Sequence, residues 1–237
     1  MCWLAQYTYL IKICMKRYTL DKLGAKDGEH IKISLDKCSL WNNVNFCKLK
    51  IQQGGLFLRY VKPDLQTEEL CKLAVQQNGL ALVHVNLVQP AHVPNNNTTE
   101  IYQTEEICMC AVKQNGMALS YVKLANALPQ NLIGTPVHQT YEICKAAVKQ
   151  NHKALIFVQG LNSDPIFSSK QINELCELAV KQDGYMLQHI PRQLQTYRVC
   201  ALAVKQNGLA FELVEFSNFS YQQMHEISKL AINQNSG

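Results

Sequence analysis

The chain has 237 residues, of which 47% are hydrophobic and 17% charged, and its formal net charge is +5. The hydrophobic share is ordinary for a soluble protein, and the length is ample for a core. No window approaches ~18 consecutive apolar residues, so no membrane span is expected.

Residues 1–43 form a divergent basic segment or cap. Residues 1–50 carry nine Lys/Arg against four Asp/Glu, whereas residues 51–237 carry fourteen of each. The positive excess therefore belongs to the N-terminal end. Trp3, Tyr7, Tyr9, Tyr18 and Trp41 are interleaved with its lysines. The opening MCWLAQYTYLIKICMKR lacks a basic n-region and a small-residue cleavage site, so a signal peptide is not expected.

From residue 44 to 237 one pattern recurs. Its units lie near 44–66, 67–103, 104–139, 140–171, 172–195 and 196–220, with a half unit at 221–237. The reference position is cysteine at Cys47, Cys71, Cys108, Cys144, Cys176 and Cys200, and serine at Ser228. Six residues later stands Gln53, Gln77, Gln114, Gln150, Gln182, Gln206 or Gln234. Glycine follows at Gly55, Gly79, Gly116, Gly184 and Gly208, and His152 breaks that column. The bare unit is 24 residues long, as from Cys47 to Cys71 and from Cys176 to Cys200. Three intervening units are longer, with insertions near 86–103, 123–139 and 159–171. Their Pro, Asn, Gly and Ser content marks them as loops. The terminal copies are expected to be caps, or else the chain is a fragment of a longer array.

The first half of each unit is predicted to be a helix. Ile107, Cys108, Ala111 and Val112 share one face of a 3.6-residue period, with Glu106 and Lys113 opposite. Thr67, Thr104, Thr140 and Thr196 are N-cap candidates. The glutamates that follow suit the positive end of the helix dipole. Asn-Gly is expected to close the helix through a left-handed glycine, with positive φ at Gly79, Gly116, Gly184 and Gly208 and, if the geometry is common, at His152. Ala118, Leu119 and Val122 predict a second short helix, with a strand as the competing reading. Each unit is then a helical hairpin that cannot bury its apolar face alone. The expected fold class is all-α, an α-solenoid-like array of short hairpins with a ~24-residue unit.

The motif EICxxAVKQNGxALxxV, as in Glu106-Ile107-Cys108, Ala111–Gly116 and Ala118-Leu119, resembles an uncharacterised helical repeat domain family. That family is abundant in giant DNA viruses of amoebae and occurs in some bacteria. The resemblance covers about residues 44–237 and includes Tyr60–Cys71. His152, Ser228 and the insertions depart from it. It implies a helical repeat fold and a viral source, with host cytoplasm or virion as the location, but no established activity.

Function follows by weighing each chemical feature against packing. The six reference cysteines sit on the apolar face. Packed helices lie ~8–10 Å apart, beyond the roughly 7 Å a disulfide spans. No zinc-type spacing occurs, so the thiols read as core residues in a reducing intracellular compartment, with no metal and no cofactor. The invariant glutamine reads as a structural contact between units. As a base reader it lacks the variation that a code needs. No catalytic motif is present, and the chain does not read as an enzyme. The expected function is a non-catalytic protein-interaction scaffold, with His92, Tyr102, His138 and Phe167 on the insertions as partner-binding residues. The alternative is nucleic-acid binding through the basic aromatic N-terminal segment.

Overall fold

The computed structural model describes residues 39–85, 103–122, 139–161 and 166–235. A compact unit begins at Ser39. Every regular element among the described residues is helical. The α-helices are α1 (Val44–Gln53), α2 (Glu68–Gln77), α3 (Glu105–Gln114), α4 (Tyr141–Gln150), α5 (Ser169–Gln182), α6 (Tyr197–Gln206) and α7 (Tyr221–Asn235). Each packs against the next in chain order.

The first turns are fixed by side-chain caps. Thr67, Thr104, Thr140 and Thr196 each accept a hydrogen bond from the backbone N–H three residues on, at 3.3–3.4 Å. This satisfies a donor that the helix itself leaves open. Asn43 does the same for α1, and Ser168 opens α5 with a reciprocal capping box to Gln171. α5 starts at Ser169, so residues 169–171, read from the sequence as loop, are helical. Beyond each cap the predicted face is buried: Ile107, Cys108, Ala111 and Val112 are 0% exposed.

The second half of each unit is helical but not α-helical. A 3-10 helix follows α1 at Gly55–Tyr60, α2 at Gly79–His84, α3 at Gly116–Tyr121, α4 at His152–Phe157, α5 at Gly184–His189 and α6 at Gly208–Leu213. With three residues per turn, i and i+3 eclipse on one face. Gly116, Leu119 and Val122 follow that spacing and are all buried, as are Gly79, Leu82 and Val85.

The joint between the two helices corrects the sequence reading. Asn115 is extended, with φ −149° and ψ 110°. Its N–H closes α3 on Ala111 O, and its C=O accepts from Ala118 N. Its side chain accepts from Met117 N at 3.0 Å. One asparagine thus ends the first helix and caps the second. Gly160 is the one positive-φ glycine among the described residues, so Gly79, Gly116, Gly184 and Gly208 are not left-handed. Glycine is required for another reason. A Cβ on Gly79, Gly116 or Gly184 would collide with the carbonyl oxygen of Ala111, Ala147 or Ala203 in the next α-helix. The 3-10 helix starts where two backbones touch, and only glycine leaves the room. His152 also begins a 3-10 helix, after an unshifted Asn151.

Trp41 lies in a short 3-10 helix, Ser39–Asn42, and is buried. Its ring stands 5.2 Å from Phe46 and 5.3 Å from Tyr60, covering the start of the repeated region. It is therefore a packing residue. The remaining aromatics of the basic N-terminal segment lie outside the described residues.

Candidate interaction surface

Five of the seven repeated glutamines are turned toward neighbouring units. Gln114 Oε1 accepts from Gly79 N, Gln150 from Gly116 N and Gln206 from Gly184 N, at 2.5–2.6 Å. The amide ends of Gln150 and Gln206 donate to the carbonyls of Gln114 and Gln182. Each of these glutamines reaches back across a junction and engages the glycine N–H at the closest backbone approach. Gln182 and Gln234 donate instead to Val148 O and Lys205 O. Gln53 bonds Lys50 within its own helix, and Gln77 is exposed.

A second glutamine column was missed by the sequence reasoning. Gln66, Gln103, Gln139 and Gln195 stand directly before the threonine caps, and the first three are buried. Gln139 Nε2 donates to Phe157 O at 2.9 Å and Leu119 O at 3.3 Å, while its Oε1 accepts from Gln159 N at 3.0 Å. Gln195 repeats this with Ile190 O, Leu187 O and Glu215 N. These amides tie down the carbonyls where the 3-10 helices end: Leu119 O and Leu187 O, which already accept from Val122 N and Ile190 N, gain a second donor, and the glutamines also reach Phe157 O and Ile190 O. The signal was present as a Gln-Thr pair repeated four times.

Cys47, Cys71, Cys108, Cys144, Cys176 and Cys200 are buried and free, and Cys110 is half-buried and free. Burial pushes the thiols of Cys71, Cys108, Cys144, Cys176 and Cys200 up to about 12, and raises that of Cys47. Such thiols are protonated at neutral pH and are poor nucleophiles and metal ligands. No cluster of metal-ligating side chains occurs among the described residues. None of the described helices is long and apolar enough to cross a membrane.

Of the four loop residues expected to bind a partner, His92, Tyr102 and His138 lie outside the described residues. Phe167 is half-buried, with its ring 6.4 Å from Tyr141, and is partly occupied in packing.

The outer surface of the α-helices carries a ladder of ion pairs. The residue after the reference cysteine reaches forward to a glutamate on the next helix. Lys48 meets Glu69 at 2.6 Å, Lys72 meets Glu106 at 2.7 Å and Lys145 meets Glu174 at 2.6 Å. Between α5 and α6 the order is reversed, Glu177 to Arg198 at 2.7 Å. Exposed pairs of this kind contribute little to stability, ~0–1 kcal/mol each. They do close the seams between helices. Between α3 and α4 the lysine position is Met109 and the rung is absent. An open groove of about 600 Å³ lies there, lined by Met109, Lys113, Glu142, Lys145, Ala146 and Lys149.

The chain matches no protein-family model, no curated protein and no solved structure.

Proposed function

We propose that the chain is a non-catalytic protein-interaction scaffold. Its helical pairs form an α-solenoid-like array over residues 44–237, of the kind implied by the resemblance to the giant-virus repeat family. The observation that carries this reading is where the recurring residues go. The cysteines, the glycines and five of the seven repeated glutamines are consumed in packing unit on unit, so the recurring chemistry builds a frame. Recognition then falls to what differs between units, namely the insertions at 86–103, 123–139 and 159–171 and the exposed helix faces. The seven free thiols among the described residues support a reducing intracellular setting.

The test compares partner capture by the full chain with capture by a chain whose insertions are cut back to the bare-unit length. The reading expects the partner to be lost while the thermal unfolding midpoint is kept. Unchanged capture after trimming all three insertions would overturn it.

A further inference from the structure

We propose that the groove between α3 and α4 is a docking site for a helical segment of a partner protein. That segment carries a basic and an acidic side chain about two turns apart, with an apolar residue between them. This rests on the scaffold reading and names one of its contact sites.

Three observations converge on the same seam. The forward-reaching lysine present on α1, α2 and α4 is replaced on α3 by Met109, so the rung to Glu142 is absent, as it also is between α6 and α7, where Ala201 holds that position and Glu226 is instead engaged by Tyr197 and Gln222. Glu142, the carboxylate that this lysine would meet, makes no ion pair among the described residues. Neither do Lys113 and Lys149, although all three are exposed on the groove. A groove of about 600 Å³ opens at this seam. The charges are not mixed at random. Glu142 lies in the first turn of α4 and Lys149 in its last, with Lys113 near the end of α3. Seven residues of α-helix place Glu142 and Lys149 about 10 Å apart. Met109 and Ala146 form an apolar floor between them, and Met adapts its shape to a guest.

A partner helix presenting arginine and glutamate at i and i+7, with leucine midway, matches this order. Its arginine takes the place of the missing lysine beside Glu142. Its carboxylate meets Lys149 and Lys113, and its leucine covers Met109. Lys145 is held by Glu174 and does not contribute a free charge. Electrostatic complementarity here sets which segment is accepted more than how tightly it binds.

The test uses three short, fluorescently labelled helical peptides with a central leucine and the full chain. One pairs arginine with glutamate two turns apart, one carries two arginines and one two glutamates. The mixed-charge peptide is expected to bind at least about tenfold more tightly than the others. Met109→Lys should restore the rung to Glu142, fill the groove and abolish that binding, with an unchanged or higher unfolding midpoint. Glu142→Gln and Lys149→Gln, both at exposed positions, should each weaken it severalfold. Equal binding of the two-glutamate peptide would make the site a simple anion-binding patch and overturn the proposal. So would equal binding of the two-arginine peptide, no measurable binding, or indifference to Met109→Lys. If the mixed-charge peptide binds no better than the other two while trimming the insertions still abolishes partner capture, the groove assignment fails and the scaffold reading stands.

Discussion

His152 Nε2 lies 3.3 Å from Asp183 Oδ2, and each residue is an exception in its own column. His152 replaces the glycine of the five other complete units, and Asp183 replaces an asparagine that caps the 3-10 helix in four units. The approach is at ion-pair distance without hydrogen-bond alignment. Asp183 still performs the capping role, since its Oδ1 accepts from Tyr185 N at 3.0 Å. The two departures face each other across the junction between the α4 and α5 units. There Gln182 bonds Val148 O rather than the backbone N–H of residue 152. A side chain at 152 prevents the tight backbone approach, and Asp183 gives that side chain a partner.

His152 and Asp183 should therefore be energetically coupled. His152→Gly and Asp183→Asn are each expected to change stability by less than about 1 kcal/mol. The double variant should differ from their sum by about 0.5–1 kcal/mol, as contacting residues do. Chemical unfolding of the four proteins in the cycle measures it. Strict additivity would show that the proximity has no energetic consequence.

Gly116→Ala should destabilise by about 2 kcal/mol or more, because its Cβ would press on Ala147 O and displace the Gln150 clamp. Gly116→Asn separates this cause from a left-handed backbone. Asparagine tolerates positive φ better than alanine, yet both enlarge a contact that has no space. The Asn variant should be at least as unstable as the Ala variant in urea unfolding.

Gln139→Leu should cost about 2–3 kcal/mol, since it removes the side-chain partner of Phe157 O and Gln159 N and one of the two donors to Leu119 O, which keeps Val122 N. Gln150→Ala, at an exposed position, should cost about 1 kcal/mol. Denaturant midpoints at constant m-value check the order. A larger loss at Gln150 would contradict the assignment of the second glutamine column as the more buried tie.

Stability should fall at alkaline pH. Folding raises the thiols of Cys71, Cys108, Cys144, Cys176 and Cys200 from 9.0 to about 12. The unfolded chain ionises them first, so it gains stability as pH rises through 9, and the native advantage is lost progressively toward 12. Each thiol contributes a slope of up to ~1.4 kcal/mol per pH unit in that window and none below it. Cys108→Ala should reduce the slope. Near pH 8 the same burial predicts that iodoacetamide labels Cys110 well before any of the six, as peptide mapping would show.

The α-helices were legible from local pattern. A 3.6-residue apolar period, a threonine at the first open N–H and a cysteine among Ile, Ala and Val are local features, so α2, α3, α4 and α6 and their buried faces were legible. The 3-10 form is written only ambiguously in the same local pattern. Gly116, Leu119 and Val122 repeat at three, while Ala118 and Val122 also fit a spacing of four, and the two readings compete over so short a run.

Tertiary structure alone decided why the glycines are there. In an isolated unit, Asn115-Gly116 reads as a left-handed helix stop. The backbone is instead extended at Asn115, and the glycine answers to Ala147 O, which belongs to the following unit. The same holds for Gln139 beneath two 3-10 helices, for His152 against Asp183, and for the groove that Met109 leaves open. Each depends on which backbone lies across a junction some twenty to thirty-six residues away in sequence. Local periodicity carries no term for that neighbour, because the steric and hydrogen-bond demands arise only once the units are packed.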